Sequence, residues 1–147
     1  MVLRLPGSSF TLANFFRSTL YASMSTLKLG MDILFAEGVA IDSLTGHGGL
    51  FKTPVVGQKY LAAACNAPVT CLSTAGEGGP YGMALLAAYA ANRAHGETLE
   101  DYLASHVFAS AESTTLAPDP EDVTGFNTYI AQYQQLLKVE RAAVENL

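Results

Sequence analysis

Near the start of the chain, apolar residues recur at intervals of three and four: Leu12, Phe16, Leu20, Met24, Leu27, Met31 and Leu34. That spacing places them on one stripe of a long helix beginning after Ser8 or Ser9, and Gly38 can end it just past the C-cap. Ile41 to Gly46 reads as a short strand entering a glycine-rich turn, His47-Gly48-Gly49. Thr53-Pro54 predicts an N-cap followed by proline at the first helical position. Val55, Val56, Tyr60, Leu61, Ala64 and Cys65 then supply a helix, which Asn66 and Pro68 stop.

Val69 to Leu72 is a short apolar run of strand character, and Ala75-Gly76-Glu77-Gly78-Gly79-Pro80 is a second glycine-rich turn. A helix from about Tyr81 to Ala94 follows, closed by Gly96, and its run Met83 to Ala91 predicts a buried helix. Thr98 and Asp101 form a capping-box pattern ahead of a short helix through about His106. Ser110 to Pro118 is irregular or a short edge strand. Asp119-Pro120-Glu121-Asp122 starts a last helix with acids in its first turn, continued by Val123, Phe126, Ile130, Tyr133 and Leu137. The tyrosines and phenylalanines at helical spacing are expected in the core. The order is that of an α/β protein with a small sheet flanked by helices. Two clear strands are few for such a sheet, which suggests further strands supplied from elsewhere.

Composition narrows the functions. The 147 residues are 50% hydrophobic and 14% charged, enough for one folded domain with a substantial core. Eight basic against 13 acidic residues give a net charge of -5, without the basic cluster that nucleic-acid binding needs. The run Met83 to Ala91 is too short to span a membrane, and the opening segment lacks the apolar stretch of a signal peptide, so a cytoplasmic protein is expected. Cys65 and Cys71 form no CxxC pair, and His47, His95 and His106 are scattered. These residues predict reduced, partly buried thiols and no metal site.

The two glycine turns are the candidate chemistry. Each lies between a strand and a helix, where unpaired amides and the helix dipole favour an anionic group such as a phosphate, although tight turns also need glycine for steric reasons. Two familiar nucleotide motifs are missed. GHGGLFKT, from Gly46, has Phe51 where a P-loop requires glycine, and Tyr81 stands where the last glycine of GxGxxG would follow Gly76 and Gly78.

Taken in order, the segments resemble one family. TGHGGLFKTPVVGQKYLAAACNAPV, Thr45 to Val69, is similar to the phosphate segment of the FGGY carbohydrate kinases: three glycines, a small residue, a basic residue, Ser or Asn, then a helix containing Gln and a Pro-Val strand. AGEGGPYGMALLAAYA, Ala75 to Ala90, resembles that family's adenosine motif. LANFFRSTLYASM resembles the helix before the phosphate segment, and FASAESTTLAPDPEDVTGFNTYIAQYQQL the family's Pro-Asp-Pro ending and final helix. The closest flavour is that of the pentulose kinases, xylulokinase and ribulokinase.

The resemblance implies part of the second domain of an actin-like ATPase (ribonuclease H-like) fold. Residues 1–147 would be its later, nucleotide-binding part, with the N-terminal sugar-binding domain of the same polypeptide lying outside them. It further implies a kinase using ATP and Mg²⁺ to phosphorylate a ketopentose, xylulose or ribulose, with a homodimer among the assemblies it allows. The implied nucleotide contacts are Gly48, Gly49, Leu50 and Thr53 on the phosphate side and Glu77, Gly78 and Gly79 beside the adenosine. Lys52 could meet a phosphate or be a solvated lysine at a helix start. Leu50 departs from the pattern by replacing the third glycine. The Asp that accepts the sugar hydroxyl proton lies outside these motifs, so no catalytic residue is expected here. The alternative is a non-catalytic module that senses nucleotide with the same half-site.

Overall fold

Thr11 starts the first helix, two residues later than Ser9, because its hydroxyl accepts the amide of Asn14 and caps the N-terminus. The structure, a computed structural model, describes residues 2–146. Helix α1 (Leu12–Ala36) ends as expected at Gly38, whose φ of 79° lets its amide reach the Phe35 carbonyl and that of Val39 reach Leu34. The buried face differs from the expected stripe. Tyr21, Met24 and Ser25 are buried, while Leu12, Phe16, Leu27 and Leu34 are exposed. The reason is tertiary: α1 packs against α2 (Val56–Cys65) and α5 (Pro120–Glu145), which cover only one side of it.

Strand β1 is only Leu44–Thr45, shorter than the expected run from Ile41. It pairs in parallel with β2 (Val69–Leu72), and β3 (Ser113–Leu116) pairs antiparallel to β2 on the other side. The segment read as irregular or edge strand is therefore an edge strand, and the sheet is mixed, in the order β1-β2-β3. Gln58 explains part of this arrangement. Buried in α2, its amide donates to the Val69 carbonyl at 3.1 Å and the Thr114 carbonyl at 2.9 Å, tying helix, central strand and edge strand together.

The core forms around α2, where Leu61 through Cys65 are all buried. The three consecutive alanines let α1, β2 and α5 close on the helix, and Phe126 and Val69 are fully enclosed against it. Tyr21 packs edge-on to Tyr60 and Phe126 and tilted on Tyr129. The aromatic residues do not all follow the expectation of burial, since Phe10, Phe16 and Phe108 are exposed.

Two further expectations are corrected. Thr53 and Pro54 do not cap α2. The helix begins at Val56 with Val55 before it at φ 70°, ψ -40°, in a tight turn whose Val56 amide reaches back to the Pro54 carbonyl. Helix α3 (Gly78–Asn92) starts three residues before Tyr81 and contains no buried residue, with Met83 72% exposed, contrary to the buried helix that its apolar run predicts. The cause is its position. It joins the body chiefly through the turn at Ala75–Glu77, with one further ring contact from Tyr89 to Tyr102 of α4 (Leu99–Tyr102). The capping box holds, with the Thr98 hydroxyl accepting the Asp101 amide, and a wider helical turn carries the chain on to Val107. The last helix opens as expected on Asp119, whose carboxylate accepts the amides of Glu121 and Asp122.

Candidate functional site

Parallel pairing of β1 and β2 delivers both glycine turns to the same edge of the sheet, beyond the carboxyl ends of two neighbouring strands. That is where open α/β sheets receive ligands. The turns also touch. The Gly48 amide donates to the Ala75 carbonyl at 2.7 Å, and the side chain of His47 lies against Gly78. Two motifs separated by about thirty residues in the chain thus form one surface.

The glycines divide by what surrounds them. A Cβ at Gly46 would meet the Phe51 ring at 2.4 Å, and one at Gly57 would meet both that ring and the Leu50 carbonyl at 2.9 Å. Phe51, where a P-loop would have glycine, is therefore a packing residue seated between two glycines. Gly76 makes room for the stem of Lys52, and Gly78 for His47. These four answer a steric need. Gly48 answers a backbone need, at φ 108°. Gly49 and Gly79 answer neither: their φ angles are not positive, and an added Cβ at either would meet nothing within 4 Å. At these two positions the missing side chain leaves bare backbone facing open space, as a cradle for a ligand requires.

The amides follow the same division. That of Gly48 is committed to Ala75 and that of Phe51 to the Gly48 carbonyl. Among the described residues, the amides of Gly49 and Leu50, which open a short 3-10 turn (Gly49–Lys52), have no backbone acceptor. Gly78 and Gly79 open α3, so their amides head a helix whose dipole favours an anion. Leu50 is 36% exposed. Thr53 is exposed at the end of the 3-10 turn. Of the residues named from sequence, Gly49 and Leu50 present amides without a backbone acceptor, and Gly78 and Gly79 head α3 on the adjoining turn. Gly48 serves as the turn's pivot, and Thr53 lies at the far end.

Sequence reading missed the pairing of Lys52 and Glu77. Their side chains meet at 2.6 Å, bridging the two turns. Beside them opens a cleft of about 510 Å³, bordered by Phe51, Val55, Cys71, Ser73, Glu77 and Thr115. Opposite charges in two motifs that both flank strand ends were the available signal. Cys71 sits beneath the turns, its thiol pushed up in pKa by burial and partly drawn back by the Gly46 amide. Cys65 is buried in α2 and its thiol is likewise raised by burial. Both cysteines are free thiols.

Comparison with known proteins bears on this geometry. Residues 2–91, which include both turns, match the FGGY family of carbohydrate kinases, C-terminal domain. The chain belongs to the FGGY family of carbohydrate kinases. Its α/β architecture, a small sheet flanked by helices, is that of the family's actin-like second domain. It is also 30% identical over 121 residues to the ribulokinase of Mycolicibacterium smegmatis, an alignment covering 82% of this chain and 20% of that protein. The chain therefore spans about a fifth of the length of this FGGY relative. No solved structure matches it. Among the described residues, no helix is long and apolar enough to cross a membrane.

Proposed function

We propose that this chain is the nucleotide-binding portion of an ATP-dependent sugar kinase acting on a ketopentose, ribulose or xylulose. The observation that carries the reading is the juxtaposition of the two glycine turns, with Gly49 and Gly79 bare toward open space, in a chain of the FGGY family. The ketopentose rests on the similarity to a ribulokinase.

The residues fit a nucleoside polyphosphate. The open amides of Gly49 and Leu50 would take phosphate oxygens, with Gly48 holding the turn and Thr53 at its far end. Gly78 and Gly79, heading α3, would present a second set of donors, and Glu77 would border the nucleoside. Mg²⁺ in such sites is carried largely by phosphates and water, and neutralises charge as the phosphoryl group moves. The work of this chain is to hold the nucleotide in place. Phosphoryl transfer depends on placing a nucleophile in line with the phosphoryl group, so the second wall of the cleft and the group accepting the sugar's proton belong to the rest of the kinase.

The test is phosphorylation by the complete protein carrying this chain, with Mg-ATP and a panel of ketopentoses, hexoses and polyols. Turnover of ribulose or xylulose above the others is the expected result. Failure to phosphorylate any of them would end the kinase reading, and retained ADP binding in that case would point to a nucleotide-sensing module.

A further inference from the structure

Glu77 occupies the N-cap position of α3, yet its side chain caps nothing. A carboxylate beside a helix N-terminus is favoured by the positive end of the dipole and by the amides that have no partner there. Pro80 has no N–H, which leaves Gly79 as the amide such a cap would reach. The Glu77 carboxylate instead points across to Lys52, 2.6 Å away. Lys52 reaches it because Gly76 lacks a side chain: a Cβ there would lie 2.8 Å from the Lys52 Cγ. The glycine thus forms a channel for the lysine stem, and the ion pair spans the two turns.

Resting on the nucleotide reading above, we infer that Lys52 is a latch that holds the Glu77 carboxylate off the N-terminus of α3, keeping the Gly79 amide available to an anionic ligand. Without the latch, the carboxylate swings inward, caps its own helix and competes with the phosphate for the same donor. Lys52 acts through Glu77 and is a positioning residue, not a phosphate ligand. Both side chains are more than half exposed, so the effect is modest and salt-sensitive.

The experiment is a double-mutant cycle read as Mg-ADP affinity by calorimetry at low ionic strength, on this chain. Lys52→Met is expected to weaken binding about three- to fivefold, the scale of an N-cap interaction set against an exposed ion pair. Glu77→Ala sets the reference, carrying whatever Glu77 itself contributes beside the nucleoside, and Lys52→Met/Glu77→Ala is expected to match it with no further loss, because no carboxylate remains to compete. A double variant weaker than Glu77→Ala by the factor that Lys52→Met alone loses would show that Lys52 touches the phosphate directly and would overturn the latch. So would an unaltered affinity in Lys52→Met. If the unchanged chain binds no ADP, the nucleotide reading falls and the latch with it, whereas binding without rescue removes the latch alone.

Discussion

Val55 carries the clearest local strain in the molecule. A β-branched residue at φ 70° costs about 1–2 kcal/mol relative to glycine, which adopts that region freely. Val55→Gly gives part of this back through the added freedom of the unfolded chain, so a net gain of about 0.5–1 kcal/mol is expected in denaturant unfolding. Gly78 and Gly79 offer a sharper contrast. Alanine at Gly78 must displace His47, while alanine at Gly79 fits with nothing within 4 Å. Gly79→Ala should leave thermal stability unchanged within about 0.5 kcal/mol and still weaken nucleotide binding, which separates a ligand role from a steric one. At the buried thiols, raised pKa values keep Cys65 and Cys71 protonated. Alkylation at pH 8 should be at least about tenfold slower in the folded chain than in denaturant. The sign for stability follows: the contribution is full below the unfolded thiol pKa and is lost as pH rises through the folded one.

Among the elements, those fixed by local chemistry could be read directly from the sequence. Asp119-Pro120, the Thr98 capping box, the Gly38 stop and the Asn66-Pro68 ending all stand where their residues place them, because caps and stops depend on neighbours in the chain. Burial could not be read so well. The exposed apolar run of α3 and the rotated face of α1 depend on which elements lie alongside, and periodicity does not carry that information. Thr53-Pro54 misled for a related reason. The chain makes a tight turn at Val55, with the Val56 amide on the Pro54 carbonyl, before the helix starts, and the Thr-Pro pattern carries no sign of it. In the candidate site both turns were legible as motifs, but not the division of their glycines between packing and open backbone, nor the Lys52–Glu77 pair, since each depends on contacts across the sheet edge. Gln58 gives the element-scale prediction. Gln58→Leu strands two buried carbonyls and should cost about 1–3 kcal/mol, checked by chemical denaturation.

At the scale of the whole molecule, the helices differ in how firmly they are held. α2 is enclosed by α1, α5 and the sheet, whereas α3 has no buried residue and meets the body chiefly at its first turn. Hydrogen exchange should therefore find the amides of α2 protected to near the global unfolding limit and those of residues 82–92 exchanging earlier. This gradient bears on the proposed function, in which the N-terminus of α3 would face the nucleotide. The central claim, that the two turns act as one nucleotide half-site, is tested most directly by an NMR titration of this chain with Mg-ADP. The account predicts that shifts concentrate at the amides of Gly49, Leu50, Gly78 and Gly79, leaving the packing glycines Gly46 and Gly57 unmoved. Shifts scattered over other surfaces, or none at millimolar ADP, would contradict it.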